Sequence, residues 1–510
     1  MSETRTMGQQ SVPVGPIFGV MIAGAFVAYL NQTLINVALP QMMDHLHISA
    51  TTGDWLTTIY MLVNGVVIPV TAFLMQRFTT RALYLTAMTL FVIGTIICAV
   101  GPDFAVILVG RVVQAAGAGI LMPVMINVIF TLFPLEKRGM AMGILGIAIN
   151  FAPAVGPTLS GWIVENYSWR VLFYVILPIA LLDLIVSIFL LKNVTQTSRP
   201  KLDTLGVVLS TIGFGGLLYA FSMAGSDGNG WGSPQVVITF IVGGVSLAVF
   251  VWRELTIGHP ILEFRIFRYP MFTLTTIINV LVTMAMYAGM ILMPIYMQDV
   301  RGFSPLQSGL MLLPGGILMG AVSPITGKLF DKIGARWLSA FGLAITAATT
   351  FALARLQMDT TYTYVTILYT VRMFGMAVLM MPIMTAGLNE LPLRLNPHGT
   401  AMLNTMRMIA GAVGMAFLVT VMSTKAVVHT KAIVMQQHIA ATDKVHMLLA
   451  QNQGSVMGIN DAFMVATILS VLAFLLSFFI RKTKPTEEAP NLSKAQEKSS
   501  LSSPALAIEE

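Results

Sequence analysis

The tetrapeptide Gly139-Met-Ala-Met142 opens one apolar stretch of the chain, and Gly399-Thr-Ala-Met402 opens another 260 residues later. Two further pairs of segments repeat at offsets of 258 and 259 residues: Pro153-Ala-Val-Gly156 with Gly411-Ala-Val-Gly414, and Pro123-Val-Met125 with Pro382-Ile-Met384. An almost constant offset indicates an internal repeat. The chain therefore consists of two related halves, a plan typical of transporters whose substrate site lies between the repeats.

The composition places these halves in a membrane. The chain has 510 residues, of which 56% are hydrophobic and 10% are charged, and its mean hydropathy is +0.80. A soluble protein of this length does not need so apolar a composition. The formal charge of +7 lies mostly in short gaps between apolar runs, where positive charge sets membrane topology. We therefore expect no interaction with nucleic acid. The only cysteine, Cys98, excludes an internal disulfide.

Fourteen apolar segments approach the roughly 20 residues that cross a bilayer as a helix. Their expected bounds are 15–38, 54–76, 82–101, 104–127, 140–163, 170–191, 204–225, 234–253, 271–297, 304–327, 337–355, 362–388, 399–423 and 460–480. The pattern predicts an all-α polytopic membrane protein with about 14 transmembrane helices. The expected divisions are a cytoplasmic tail 1–14, a six-helix half 15–192, an inserted two-helix hairpin 204–253, a six-helix half 270–481 with a long outer loop 424–459, and a disordered cytoplasmic tail 482–510.

The charges of the gaps predict the orientation. With the N-terminus inside, 20 of the 29 lysines and arginines fall in inner gaps, 6 fall in outer gaps and 3 fall within spans. Lysine and arginine concentrate in cytoplasmic loops. This distribution predicts an even number of spans with both termini in the cytoplasm.

Arg111 is the only ionised residue between Phe104 and Phe133. A guanidinium near the bilayer centre costs at least about 2.5–3.5 kcal/mol, so its side chain must face protein or a wet cavity. Its charge either couples the protonation of a nearby acid to conformation, or serves a structural role on the carbonyls of a neighbouring helix. Arg372 and Arg407 are the intramembrane cations of the second half. Cavity electrostatics, an internal latch, and pairing with carbonyls or with Glu390 all remain open for them.

Asp183 is the only acid deep within a predicted span, 13 residues from Arg170 and so about 20 Å along the helix. Burial favours the neutral carboxyl, which can carry a proton. The alternative is a hydrogen-bonded structural acid.

The fifth predicted span is rich in small residues and proline. It carries Gly143, Gly146, Pro153, Gly156, Pro157 and Gly161. Glycine allows close helix approach, and proline frees a carbonyl and bends a helix. The span is either a hinge, formed by Pro153, Gly156, Pro157 and Gly161, or ordinary small-residue packing.

Polar side chains within other spans are candidates for a substrate cavity. They are Asn31, Gln32, Asn36, Asn64, Gln114, Asn150 and Arg407. Hydrogen bonds between helices are an equally good explanation for the asparagines. The spacing of His429, His438 and His446 does not place three ligands on one helical face, so we expect no metal site. No phosphate-binding Gly-rich loop or catalytic cluster is recognisable, so we expect no cofactor and no enzyme.

Several motifs resemble those of the major facilitator superfamily, and within it the 14-span drug/proton antiporters of the EmrB/QacA type, over residues 15–482. The motifs are Leu30-Asn-Gln-Thr33 through Pro40, the stretch around Arg111, Gly143 through Gly161, Trp169-Arg170, His259-Pro260 through Arg268, and Gly327 through Arg336. The Asn-Gln-Thr version of the first motif is similar to the lincomycin-exporter branch.

Two departures from the family pattern matter. Asn31 stands where the first-span signature often has an acid, which removes one expected proton carrier. Gln76 stands where the loop motif of the first half usually has an aspartate. A cytoplasmic carboxylate–arginine latch is therefore expected at Asp331 and not at Gln76. Its candidate arginines are Arg336, Arg77 and Arg81.

The resemblance implies a proton-driven exporter of amphiphilic drugs, working as a monomer in the plasma membrane of a bacterium. Its expected partners are the small-molecule substrate, protons and the lipid bilayer. Export of a single dedicated solute or lipid by the same fold is the main alternative. A membrane-embedded enzyme or a receptor is a weaker one.

Overall fold

The computed structural model describes residues 14–53, 55–194, 197, 203–224, 230–258, 260–438 and 443–481. The predicted tails fall almost wholly outside these ranges. The side chains of three site candidates, Asn36, Asn150 and Pro153, also lie outside the described part.

Fourteen long helices form the described part of the chain. They are α1 Val14–Leu46, α2 Trp55–Arg77, α3 Thr80–Val100, α4 Phe104–Leu132, α5 Leu135–Asn166, α6 Arg170–Leu190, α7 Thr204–Ala224, α8 Pro234–Thr256, α9 Pro270–Ile295, α10 Pro305–Ile333, α11 Ala335–Leu353, α12 Tyr362–Glu390, α13 Asn396–Gln436 and α14 Lys444–Ser477. Short turns lie at Ala50–Gly53, Phe264–Arg268 and Leu393–Leu395, and a π-helical turn, Tyr296–Val300, extends α9. Over the described residues, thirteen of these helices are long and apolar enough to cross a membrane.

Local sequence explains several helix ends. The side chain of Asp103 accepts a hydrogen bond from the amide of Val106 and so caps α4. Ser304 and Gln307 form a reciprocal capping box at the start of α10. Such caps satisfy amides that have no partner within the helix. Both sit at short connections between spans, where the chain must reverse direction.

The packing follows the internal repeat. One hydrophobic cluster joins α1 to α6 and extends to residues of α7, α8, α9, α12 and α13. A second cluster joins α9 to α12 with α14. Interhelical packing in membranes depends on close contact between small residues, and the contact between α5 and α10 is the main example.

The hairpin of α7 and α8 bonds to both halves. Ser222 of α7 lies 3.1 Å from the hydroxyl of Thr58 on α2. Trp231, just before α8, donates to the hydroxyl of Thr420 on α13 at 2.7 Å. The hairpin therefore contacts helices of both halves.

The predicted outer loop 424–459 is wrong. The structure continues α13 to Gln436 and begins α14 at Lys444. His429 on α13 lies 2.9 Å from a carboxylate oxygen of Asp461 on α14, which ties the two extensions together. The polar residues of this segment lower its hydropathy, which is why the sequence predicted a loop. A helix keeps its backbone hydrogen bonds outside a bilayer, so polar side chains alone do not end α13.

Candidate functional site

Arg111 is fully surrounded by polar and aromatic groups of the first half. Its Nε donates to the carbonyl of Leu56 on α2 at 3.0 Å, and a terminal nitrogen donates to Oε1 of Gln114 at 2.7 Å. The guanidinium lies 4.1 Å from the ring centroid of Tyr60. Gln114 in turn donates to the hydroxyl of Thr95 on α3 at 2.7 Å. Arg111 therefore joins three helices, α2, α3 and α4.

Arg372 occupies the matching place on the fourth helix of the second half. Its Nε donates to the hydroxyl of Thr350 on α11 at 3.1 Å, and a terminal nitrogen donates to the carbonyl of Ala285 on α9 at 2.6 Å. The guanidinium is 0% exposed, and its other terminal nitrogen has no partner among the described residues. In each half, the arginine reaches a threonine hydroxyl on the third helix, directly or through Gln114.

Asp183 forms a separate group with Tyr84. The carboxylate oxygen Oδ2 lies 2.8 Å from the hydroxyl of Tyr84 on α3. The same hydroxyl lies 3.1 Å from the carbonyl oxygen of Val20 on α1. A side chain on Gly24 would collide with the Tyr84 hydroxyl, so glycine here lets α3 reach the backbone of α1. Asp183 is only 6% exposed, and it connects α6, α3 and α1.

The structure does not bring Arg111 and Asp183 together. Arg111 lies seven residues into α4 and Asp183 lies thirteen residues into α6, which separates them by roughly 10 Å along the helix axes. Within the described residues, Arg111 contacts a carbonyl, an amide and a ring, and no carboxylate. These contacts match the structural alternative for Arg111, in which the arginine bonds to a neighbouring helix.

The glycines of α5 lie against neighbouring helices. A side chain on Gly143 or Gly146 would run into Ser323 of α10, and one on Gly156 would run into Thr33 of α1. Gly161 has its nearest neighbour, Leu306, at 3.6 Å, an ordinary contact. The helix is continuous from Leu135 to Asn166. Three of these glycines thus serve close packing, and hinge motion stays a prediction.

The cavity candidates divide between two environments. Gln114 belongs to the Arg111 group, and Oδ1 of Asn64 faces Gly119 of α4. Asn31 is buried at 1% exposure, with no described partner for its amide nitrogen. Gln32 is half-buried.

Arg407 reaches toward the boundary between the halves. Its charge acts on the hydroxyl of Tyr287 on α9, which is also close to Tyr29 of α1. One terminal nitrogen of Arg407 is buried without a described partner. A cation and two phenols therefore lie near one another where α13, α9 and α1 meet.

The end of the molecule at which α5 begins and α10 finishes is held by a contact between these two helices. The carboxylate of Asp331 accepts hydrogen bonds from the amides of Gly139 at 2.9 Å and Met140 at 3.0 Å. One turn earlier, Gly327 packs on the backbone of Gly139, where any side chain would collide. A carboxylate near the start of a helix is stabilised by the helix dipole. This arrangement is called the second-half latch below.

A related contact joins α2 to α13. Gln76 and His398 approach to 2.6 Å between Nε2 atoms, and Nδ1 of His398 accepts from the amide of Glu263 at 3.3 Å. His398 immediately precedes Gly399, the residue that the internal repeat pairs with Gly139. This first-half latch is therefore the counterpart of the Asp331 contact, with a neutral amide in place of the carboxylate.

The three arginines expected in the latch have other neighbours. Arg336 lies 5.7 Å from the Trp337 ring, and Arg81 donates to the carbonyl of Ile188 at 2.7 Å. Arg77 is exposed at the end of α2. The carboxylate–arginine latch is corrected to a carboxylate–amide latch, because backbone amides at the start of α5 lie within reach of Asp331. Arg138 adds a cross-half bond, donating to Oδ1 of Asn389 on α12 at 3.2 Å.

Comparison with known families decides among the classes of membrane protein. The model of the Major Facilitator Superfamily matches residues 21–415. The chain belongs to this superfamily. It is therefore a multi-pass membrane transporter with the two-half fold described above.

Two relatives and one solved structure place the chain within the superfamily. The uncharacterized MFS-type transporter YhcA of Bacillus subtilis is 46% identical, over 91% of this chain and 92% of the relative. The lincomycin resistance protein LmrB of Listeria innocua is 41% identical, over 95% of this chain and 100% of the relative. The human organic anion transporter MFSD10 (TETRAN) has a TM-score of 0.62 at 13% identity, covering 91% of this chain and 99% of its own, which supports the fold alone. The resemblance to the lincomycin-exporter branch is confirmed.

Two polar residues of this superfamily member escaped the sequence analysis. Tyr84 looked like an ordinary apolar-span aromatic, and only the fold brings it to Asp183. Glu254, at the end of α8, is 0% exposed and accepts from the amide of Leu262 at 2.9 Å. Its position at the end of a span gives no sign in the sequence that its side chain is buried.

A cavity of about 470 Å³ lies at the opposite end from the latches. The π-helical turn after α9 forms one wall, and the extensions of α13 and α14 form the other. Its polar lining comes from Asp299, Gln451, Asn452 and Ser455. The volume is within the range of about 300–1,000 Å³ that holds drug-sized ligands.

Proposed function

We propose that this transporter exports amphiphilic drugs in exchange for protons, with both termini in the cytoplasm and the monomer as the working unit. Support for the substrate class comes from the relative named for lincomycin resistance, which matches over its full length. Support for secondary transport comes from the sequence, which lacks the Gly-rich loop that direct ATP drive requires. The bias of basic residues toward the inner gaps supports the orientation.

The main support for proton coupling is the pattern of hydrogen bonds around the Tyr84 hydroxyl. Its hydroxyl has one hydrogen but faces two acceptors, Asp183 at 2.8 Å and the Val20 carbonyl at 3.1 Å. Both contacts become full hydrogen bonds only if Asp183 carries a proton and donates it to the Tyr84 oxygen. The described conformation thus suits a protonated Asp183, and a conformation that separates α6 from α3 would suit the ionised one.

The two latches supply the conformational half of the proposal. Both lie at the end of the molecule that carries the inner gaps, and both connect helices of different halves. Closure of that end directs the site between the halves toward the outside. Release of the latches would open the inner end and close the outer end, so that each cycle carries drug outward and a proton inward.

The energetics suit this exchange. One elementary charge moving down 100 mV releases about 2.3 kcal/mol. Since about 1.4 kcal/mol corresponds to a tenfold ratio, one proton supports a substrate gradient of about 50-fold.

The proposal is tested with inverted vesicles that contain the full chain. An imposed proton gradient should drive accumulation of several amphiphiles from a chemically varied panel, lincomycin among them, and drug addition should dissipate the gradient. Vesicles that lack the chain serve as the inactive control. Accumulation without a proton gradient would refute proton drive, and response to one compound alone would favour the dedicated exporter.

A further inference from the structure

A basic cavity of about 300 Å³ lies beside the second-half latch and takes no part in the transport scheme above. It is lined by the end of α10, the start of α11 and the segment that follows α14. Two arginines, Arg336 and Arg481, line it, and none of the described lining residues is acidic. Lys332 is exposed one turn before Arg336. The cavity is therefore a concentrated positive site.

The backbone contributes to the same charge. Gly334 has φ +81° and precedes α11, whose first turn carries no side-chain cap. Amides at the start of a helix point toward an anion, and the helix dipole favours negative charge there. Ala335 and Arg336 of this first turn line the cavity. The two guanidinium groups and the helix start thus act on one volume.

Two apolar stripes run from the cavity along the outer surface of the helices. On α10, Ile325, Leu329 and Ile333 are 64%, 39% and 50% exposed at four-residue spacing, so they share one face. On α11, Trp337 and Phe341 are 61% and 54% exposed at the same spacing. Ile333 and Trp337 also line the cavity, so each stripe continues directly from it.

We propose that this cavity binds the headgroup of an anionic phospholipid, whose acyl chains lie along the two stripes. The phosphate contacts Arg336 and Arg481, because guanidinium groups match phosphate in a two-pronged geometry. The cavity volume of about 300 Å³ lies at the lower end of the range of about 300–1,000 Å³ that holds small ligands. Basic pockets between transmembrane helices are suited to acidic lipid headgroups.

The apolar stripes decide between a lipid and free phosphate. A soluble phosphate would use the arginines and leave five large apolar side chains without a role in binding. A lipid uses both features, and Trp337 lies where they meet. Aromatic side chains such as tryptophan favour the interface between headgroups and hydrocarbon.

The experiment is a titration of the purified full-length chain in detergent, read by native mass spectrometry. Phosphatidylglycerol and phosphatidylcholine with identical acyl chains are compared. A basic residue near an anionic lipid surface contributes about fivefold to affinity. The Arg336→Gln/Arg481→Gln variant should therefore bind phosphatidylglycerol about 25-fold more weakly and should no longer discriminate between the two lipids.

The matched control is Lys192→Gln/Arg268→Gln, which removes the same charge from exposed inner residues that do not line the cavity. It should keep the wild-type preference for phosphatidylglycerol. Trp337→Ser should weaken binding of the lipid without removing the preference for its charge. Thermal unfolding without added lipid shows that each variant is folded.

Three results would overturn the proposal. One is an unchanged lipid preference in the double arginine variant, and another is an equal loss in the control variant. The third is displacement of phosphatidylglycerol by millimolar inorganic phosphate or glycerol 1-phosphate, which would make the cavity a site for soluble phosphate. Because binding is measured without a proton gradient or a drug, none of these results depends on the proposed export activity.

Discussion

Replacement of Asp183 by asparagine tests the proton-coupling step with little change in structure. In the protonated acid, the carboxyl donates to the Tyr84 oxygen, 2.8 Å away, and leaves the phenolic hydrogen for Val20. The amide of asparagine can donate to the same oxygen, so the pattern of hydrogen bonds is kept. The variant should behave as a permanently protonated protein.

The expected magnitudes differ between stability and coupling. Because one net hydrogen bond is worth about 1 kcal/mol and is retained here, the free energy of unfolding should change by less than about 1 kcal/mol. The loss of one coupled proton removes about 2.3 kcal/mol of driving force at 100 mV. The substrate gradient should therefore fall from about 50-fold to about onefold.

Two assays separate these effects. Drug accumulation is measured in inverted vesicles with an imposed gradient, and proton release on drug addition is measured with protein purified in detergent. Glu254→Gln is the matched control, because Glu254 is also buried and an amide can still accept from Leu262. If Asp183→Asn releases protons like the wild type, the coupling site lies elsewhere, and Glu390 and Asp331 are the next acids to replace.

Four further predictions concern other parts of the molecule. Arg111→Ala should abolish export and lower the free energy of unfolding, because each buried polar group left without a partner costs about 1–3 kcal/mol. Arg111→Lys should also fail to export, since the point charge of lysine cannot replace the planar guanidinium. Normal transport by either variant would make the arginine dispensable. Gly156→Val should block the transport cycle or leak protons, because the new side chain collides with a threonine of α1. Gly161→Ala should transport normally, because the space around Gly161 accepts a methyl group. Equal transport by the two variants would contradict the close-packing argument. Asp331→Ala should shift the protein toward the inward-open state by about 5- to 150-fold, for a loss of about 1–3 kcal/mol; unchanged spin-label distances between α5 and α10 would count against the latch. Hydrogen bonds from the neighbouring arginine lower the pKa of Asp203. The ionised carboxylate therefore stabilises the fold fully above its unfolded pKa of about 3.9, and this stabilisation is lost as pH falls through the folded pKa. The thermal unfolding temperature of Asp203→Asn should thus approach that of the wild type on acidification, and a constant difference from pH 7 to pH 3 would argue against this role.

The architecture was predictable because its signals are local or repeated. Hydrophobic length alone placed the sixth and seventh spans at 170–191 and 204–225, and the structure has Arg170–Leu190 and Thr204–Ala224. The repeat indicated two halves before any contact was known. The first helix extends to Leu46, past its expected end at 38, because Pro40 is accommodated within it. The prediction of a loop at 424–459 was wrong because low hydropathy indicates that a segment lies outside the bilayer and does not indicate that the helix ends.

The site was less predictable because its partners are distant in sequence. Tyr84 and Asp183 are 99 residues apart, and Gln76 and His398 are 322 apart. No local pattern connects such pairs. The first-half latch is a partial exception, since the repeat offset of 260 residues leads from Gly139 to Gly399, the residue next to His398. The identity of Asp331 as a latch residue followed from the loop motif, but its amide partners depend on the glycine contact between α5 and α10.

The long final helices have a practical consequence for imaging. With 41 and 34 residues, α13 and α14 measure about 61 and 51 Å, well beyond the roughly 30 Å hydrocarbon core. The paired ends of these two helices should therefore project beyond the detergent belt on one face. Such a projection offers a built-in marker for aligning particle images in electron cryomicroscopy and an epitope for antibody fragments.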